Sequence, residues 1–106
     1  LSCSLYQRSG DVGLGIPFNI ASYSFLTHLL AHHCSLEPLE FIHFIGNAHI
    51  YDDHLDSLKY QISNDIRPPP NLVINTKRNH IDEYVFDDFE ISDYCYNPKI
   101  EMNMRI

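Results

Sequence analysis

The chain has 106 residues, enough for one domain and not comfortably for two. Lys and Arg number 7 against 14 Asp and Glu, which gives a formal net charge of −7. This charge excludes a general binding surface for nucleic acid or anionic membranes, because both require a positive field. No apolar run approaches the roughly 20 residues of a membrane-spanning helix, so no membrane contact is predicted.

The start of the chain and its cysteines predict the cellular setting. Residues 1–9 already alternate like a strand, so we expect no signal or transit peptide and a start inside a larger fold. Cys3, Cys34 and Cys95 are odd in number and widely spaced, unlike a disulfide framework. A reducing, intracellular and cytoplasmic location is therefore expected.

A strand, a glycine-rich loop and a long helix open the chain. The period-two alternation of residues 1–9 predicts the strand. Closely spaced glycines then mark the loop: Gly10, Gly13 and Gly15. Pro17 suits the first turn of a helix, and apolar residues recur at helical spacing from there to about His33. Because this helix carries little charge, we expect it to be buried.

The middle of the chain predicts a second strand and a shorter helix. Residues 41–45 (FIHFI) form a nearly continuous apolar run, typical of an internal strand. The pattern continues to His49 and Tyr51, which share one face. Asp52 or Asp53 can cap the next helix. The residues of that helix expected to face inward are Leu55, Leu58 and Ile62.

The last third of the chain is less regular. Residues 67–70 (RPPP) end the second helix, because proline cannot continue it. Residues 71–76 (NLVINT) predict a strand, whereas residues 82–94 mix acidic and aromatic side chains and leave their class open. Residues 100–106 alternate as in a last strand or an extended tail.

Arg8 is the first chemical signal, since no other Lys or Arg precedes Lys59. It stands where the first strand meets the glycine-rich loop. The guanidinium fork, the Ser9 hydroxyl and the free N–H groups of the loop could together hold a phosphate. The alternative is an Arg8 paired with Asp11 across a turn.

Three further residues could recognise a nucleoside. Asn19 lies in the first helical turn, and its amide can donate and accept at a base edge. His49 and Tyr51 could bind a sugar hydroxyl. Taken singly, each also suits a structural role, as a capping Asn or as a satisfied His and Tyr in a partly buried sheet.

The remaining histidines and the cysteines give weaker signals. His28 and His32 are four residues apart on one helix, but the Glu of a zinc-binding HExxH motif is missing between them. A histidine–carboxylate metal hydrolase is therefore only a minor alternative, and no metal is expected. Neither Cys3 nor Cys34 has a spacing that identifies an activated thiolate.

The assembled motifs resemble the C-terminal portion of thymidylate synthases. The segments that carry the resemblance are QRSGDVGLGIPFNIASYSFLTHLLAH, FIHFIGNAHIYDDHLDSLKYQ and RPPP. It covers residues 1 to about 70 closely and extends more loosely to Ile106. The resemblance implies an α+β fold, with helix and sheet in layers, a mixed sheet and a long buried helix. Residues 1–106 would form the C-terminal segment of one such domain.

The resemblance also implies an activity and its partners. Members of this family methylate dUMP to dTMP with 5,10-methylenetetrahydrofolate, which leaves as dihydrofolate. They act as homodimers, and some are fused to dihydrofolate reductase. An alternative is a non-catalytic relative that kept the nucleotide pocket or a dimer interface.

The nucleotide contacts implied by the resemblance fall on five residues. Arg8 and Ser9 would hold the phosphate of dUMP, with Gln7 supporting the same region. His49 and Tyr51 would bind the ribose 3′-hydroxyl. These roles agree with the donors and acceptors that the side chains carry.

The implied catalytic contacts fall on the loop and the helix. Asn19 would hydrogen-bond the uracil edge and select uracil over cytosine. Asp11 would bind dUMP through the loop and contact the folate pterin. Gly15 would allow the ligands to approach the loop backbone closely.

The sequence departs from the family at three places. The nucleophilic Cys belongs to a Pro-Cys-His segment that does not occur here, so Cys3 is not assigned that role and the isolated chain is expected to be inactive. Gly10 stands where the family often has Cys, which a turn tolerates. Arg105 stands where the family typically has a small residue.

Overall fold

The computed structural model describes residues 1–105, so Ile106, the last residue of the predicted segment, lies outside the described residues. The strands and α-helices, in chain order, are β1 (Ser2–Asp11), α1 (Ile16–His33), β2 (Glu40–His49), α2 (Leu55–Ile62), β3 (Asn71–Ile74) and β4 (Phe89–Ser92). Short 3₁₀ turns lie at Asp52–His54, Ile81–Glu83 and Phe86–Asp88. The predicted α+β class is confirmed.

Strands β1 and β2 form a parallel pair, and α1 is the crossover between them. Their register runs from Ser2 opposite Glu40 to Asp11 opposite His49. The predicted alternation of β1 is confirmed, because the residues from Cys3 to Ser9 are alternately half-buried and exposed. Gly46 is required by this pairing, since a Cβ there would lie 2.9 Å from the Arg8 carbonyl oxygen.

Helix α1 begins and ends where the sequence predicts, but its burial is partial. Thr27 and Ala31 are its buried residues, while Phe18 is 74% exposed. The expectation of a buried helix therefore holds only along one line of contact with the strands, where Tyr23 stacks on Phe41 with ring centroids 5.9 Å apart. The reason is that apolar residues surround α1, and two strands can cover only one side of it.

Helix α2 differs from the prediction in its start and its inward face. Asp52 and Asp53 form a 3₁₀ turn, and no side-chain cap precedes α2. Leu58 is half-buried, but Leu55 is 45% exposed and Ile62 is 83% exposed, so the inward positions predicted for Leu55 and Ile62 are wrong. The eight residues of α2 make about two turns, and none of them is fully buried.

Strands β3 and β4 form a separate antiparallel pair, so the sheet order is two pairs rather than one continuous mixed sheet. The strand predicted from residue 71 is confirmed with an end at Ile74. Arg78 donates to both carboxylate oxygens of Asp88, at 3.0 and 2.6 Å, and these bonds hold the pKa of that carboxyl below its usual range. Residues 100–105 are an extended tail without strand pairing.

None of the helices within residues 1–105 combines the length and the hydropathy that crossing a bilayer requires.

Candidate functional site

The parallel pairing of β1 and β2 brings two candidate residues side by side. Asp11 and His49 are register partners at the carboxyl ends of the two strands, and Val12 N–H donates to the His49 carbonyl oxygen at 2.9 Å. Helix α1 begins five residues after Asp11. In α/β structures, ligands bind at the carboxyl ends of parallel strands, where loops and helix starts converge.

A chain of hydrogen bonds fixes the amide of Asn19. His43 Nε2 bonds to Gln7 Oε1 at 2.8 Å, and Gln7 Nε2 donates to Asn19 Oδ1 at 3.0 Å. Gln7 Nε2 also donates to the Ser9 carbonyl at 2.9 Å. Gln7 thus supports Asn19 directly. The side chain of Asn19 is oriented with Oδ1 towards Gln7, which leaves its Nδ2 group as a donor.

The carboxylate of Asp11 organises the glycine-rich loop. It accepts the N–H groups of Gly13 at 2.9 Å and Leu14 at 3.2 Å. Gly15 lies so close that a Cβ there would be 3.2 Å from the Asp11 carbonyl oxygen. A larger residue at position 15 would therefore disturb the turn that orients the Asp11 carboxylate.

Arg8 lies on the opposite face of β1 from Gln7 and Ser9. Its side chain is exposed, whereas Gln7 and Ser9 are half-buried, as the pleat of a strand requires. Within residues 1–105, Arg8 forms no ion pair, so the alternative of an Arg8–Asp11 pair is not observed. Its guanidinium is available to an anion.

His49 and Tyr51 contact each other at the end of β2. Their ring centroids are 5.3 Å apart in an edge-to-face arrangement. The Tyr51 ring also meets the edge of His54, with centroids 5.5 Å apart. Tyr51 thus stays beside His49 although β2 has ended.

His54 is a residue that sequence analysis missed as a part of this site. It is completely buried, although it lies in a short segment with acidic neighbours. Its Nε2 bonds to the Asn103 carbonyl at 2.7 Å, and its Nδ1 lies 3.8 Å from Asp11 Oδ1. No local pattern indicates this burial, because the covering residues come from the tail, almost 50 positions away.

The candidate residues therefore form two groups. Gln7, Ser9 and Asn19 are joined by hydrogen bonds, and Asp11 and His49 are joined by the strand register. A cavity of about 450 Å³ borders the glycine-rich loop. Gly13, Leu14 and residues 95–98 contribute to its lining, which contains none of the residues implied to hold dUMP.

The histidines of α1 contact the β3–β4 region. His32 Nε2 bonds to the Thr76 carbonyl at 2.9 Å, and His33 Nδ1 lies 3.4 Å from the Tyr84 hydroxyl. In the part of the chain that the structure describes, no three His, Cys, Asp or Glu side chains are grouped so as to hold a metal ion.

Comparisons with known proteins give high similarity along the chain. It is 53% identical over 106 residues to thymidylate synthase of Saccharomyces cerevisiae, covering 100% of this chain and 35% of that protein. The human thymidylate synthase is 51% identical, with 100% and 34% covered. A bifunctional dihydrofolate reductase-thymidylate synthase of Arabidopsis thaliana is 53% identical, with 100% and 19% covered.

The chain thus spans about a third of the length of the single-function relatives. The family model described as thymidylate synthase matches residues 1–106, and the chain belongs to the thymidylate synthase family.

Proposed function

We propose that this chain supplies the dUMP-binding part of a thymidylate synthase, a methyltransferase that converts dUMP to dTMP. The co-substrate is 5,10-methylenetetrahydrofolate, and dihydrofolate is released. The observation that carries the proposal is the Asn19 amide, held by Gln7 next to the carboxyl ends of two parallel strands.

Asn19 is proposed to read the uracil edge. Uracil presents a carbonyl acceptor beside an N–H donor, and an amide offers the complementary donor and acceptor. Gln7 donates to Asn19 Oδ1, which opposes rotation of the amide by half a turn. Cytosine presents the reversed pattern at these two positions, so a fixed amide favours uracil.

Arg8 and Ser9 are proposed to hold the phosphate at the edge of β1 that is not paired with β2. Arg8 and Ser9 lie on opposite faces of β1. An anion bound at the strand edge can contact side chains from both faces. His49 and Tyr51 are proposed to bind the ribose 3′-hydroxyl, and their ring contact supports a joint role.

Asp11 and Gly15 are proposed to meet the folate. The loop N–H groups orient the Asp11 carboxylate, which is 20% exposed and retains lone pairs for N–H donors of a pterin. The folate supplies the one-carbon unit and the hydride. No metal is part of the proposal.

The nucleophile is proposed to come from residues outside this chain. The family uses a Cys thiolate that attacks carbon six of the uracil. Cys3 is half-buried on the inner face of β1 and is not assigned that role. We therefore propose that residues 1–106, as the C-terminal segment of the domain, are inactive alone.

The proposal also covers the packing partners of the chain and its cellular location. Large apolar side chains are exposed on both α1 and β2, including Phe18 and Phe44, which supports packing against the rest of the domain and in a homodimer. Cys3, Cys34 and Cys95 are free, which supports a reducing location such as the cytoplasm.

The experiment is dUMP binding by calorimetry, followed by dihydrofolate formation, with the complete gene product that carries residues 1–106. Binding of dUMP together with turnover is expected. Binding without turnover would favour a non-catalytic nucleotide-binding relative. Absence of dUMP binding would contradict the proposal.

A further inference from the structure

His54 occupies an unusual position for an ionisable side chain. It is 0% exposed and lies between the loop of Asp11 and the C-terminal tail. Its Nδ1 is buried without a hydrogen-bond partner, although buried polar atoms are nearly always paired. An unpaired atom of this kind indicates a contact with a purpose beyond packing.

The partners of the ring determine its tautomer. The Asn103 carbonyl at 2.7 Å can only accept, so Nε2 carries the hydrogen and donates. Nδ1 then points towards Asp11 Oδ1 at 3.8 Å. Gly13 makes this approach possible, since a Cβ at position 13 would lie 2.7 Å from Nδ1.

The tail lies beside residues 53–57 and makes two more contacts with them. Ser57 Oγ donates to the Glu101 carbonyl at 3.0 Å, and Arg105 Nη2 lies 3.0 Å from Asp53 Oδ1. Alternate tail residues, namely Glu101, Asn103 and Arg105, thus make polar contacts with this segment. The pair with Asp53 gives Arg105 a partner at the position where the family typically has a small residue.

Among these three contacts, only the one through His54 continues to the glycine-rich loop. Ser57 and Asp53 hold the tail without touching Asp11, whereas the His54 ring touches both the tail and the Asp11 side. The Asp11 carboxylate is already bonded to Gly13 and Leu14. A shift of the ring would therefore alter the loop as well as the tail.

We propose that His54 is a positioning residue that couples the docking of tail residues 101–105 to the orientation of the Asp11 carboxylate. One part of the inference rests on the proposed function, namely that the binding of folate depends on this coupling and the binding of dUMP does not. The coupling itself is a property of the described contacts.

Two substitutions separate the two sides of the ring. His54→Gln keeps an N–H near the position of Nε2 and so retains the bond to the Asn103 carbonyl. His54→Asn keeps a polar atom near Nδ1 but cannot reach that carbonyl. Ser57→Ala is the matched control, because it removes a tail contact that does not reach Asp11.

Hydrogen exchange in the complete gene product tests the coupling without any activity. His54→Asn is expected to speed exchange at residues 101–105 and at the Gly13 and Leu14 amides together. His54→Gln, which keeps the tail contact and loses the Nδ1 contact, is expected to speed exchange at the Gly13 and Leu14 amides alone. Ser57→Ala is expected to loosen the tail alone. Unchanged Gly13 and Leu14 amides in His54→Asn would overturn the proposal.

Kinetics provide the second readout. His54→Asn is expected to raise the KM for the folate by about tenfold and to leave the Kd for dUMP within about twofold. An equal loss of affinity for both ligands would indicate a general structural effect of the substitution and would overturn the proposal. A gene product that binds no dUMP would contradict the proposed function, while hydrogen exchange would still decide the coupling.

If His54→Asn fails to fold, the wild-type protein still provides a test. Coupled segments open together, so residues 101–105 and the amides of Gly13 and Leu14 should share one opening free energy. Separate openings would overturn the proposal.

Discussion

The two sides of the candidate site are held by different kinds of contact. On the nucleotide side, Asn19 is fixed by Gln7 and His43, all three of which lie in regular strands or a helix. On the side proposed for the folate, the Asp11 carboxylate bonds to the glycine-rich loop, and His54 bonds to a tail without strand pairing. The first side therefore lies on β1, β2 and α1, whereas the second side also includes contacts from a loop and from the tail.

This difference gives each side a distinct response to mutation. Substitutions on the nucleotide side should change affinity or base selection while the tail stays docked. Substitutions at His54 or in the tail should change the hydrogen exchange of residues 101–105 and the KM for the folate, while the affinity for dUMP stays the same.

The largest effect is expected from Arg8→Ala. Loss of a charge-assisted phosphate contact should weaken dUMP binding by about 2 kcal/mol, which is roughly thirtyfold. Calorimetry with dUMP measures the loss, and deoxyuridine, which has no phosphate, is the matched ligand. Equal weakening for deoxyuridine would place Arg8 outside the phosphate site.

Asn19→Asp is expected to change selection more than affinity. A carboxyl group lacks the Nδ2 donor, so discrimination between dUMP and dCMP should fall by about tenfold, from a loss of about 1.5 kcal/mol at the base edge. Competition binding of the two nucleotides provides the measurement. Strict preference for dUMP in this variant would contradict the proposed role.

The sequence predicts well the two strands and the helix that carry Gln7, Asn19 and His49, and the reasons are local. The alternation of residues 1–9 and the apolar run at 41–45 indicate two strands, and α1 between them suits a parallel crossover. Once these strands are parallel and in register, Asp11 and His49 must be neighbours. The resemblance implies that Gln7 supports the phosphate region with Arg8 and Ser9, and the sequence pattern does not indicate its hydrogen bond to Asn19.

The position of His54 could not be predicted in this way. The burial of His54 depends on Asn103, and the contact crosses 49 positions of sequence. The inward position expected for Ile62 is wrong for a related reason, because period counting assumes that every apolar residue has a surface to pack against. Within residues 1–105, Ile62 has little such surface, since its side chain is 83% exposed.

A finer test of the nucleotide side is Gln7→Glu. The carboxylate still accepts from His43 but cannot donate to Asn19, so the amide becomes free to rotate. Discrimination against dCMP should fall by about 1 kcal/mol, or roughly fivefold. His43→Phe, which leaves the Gln7–Asn19 bond in place, is the matched control and should keep the selection. Reversal of these two results would show that His43, rather than Gln7, determines the orientation of Asn19.

The smallest effect is expected at the Arg105–Asp53 pair, because both side chains are partly exposed and water and salt weaken their attraction. The Arg105 guanidinium bonds to Asp53 and lowers the pKa of that carboxyl from its ordinary value of 3.8. The stabilisation is thus fully present above that value and disappears as the pH falls through the lower folded-state pKa. Arg105→Gln should lower the melting temperature slightly at pH 6, and the difference from wild type should vanish towards pH 2. A difference that stays constant with pH would show that Arg105 holds the tail by packing rather than by charge. Among the tail contacts described for residues 1–105, the hydrogen bond of His54 to the Asn103 carbonyl would then be the principal polar contact, and the difference from the nucleotide side would be larger.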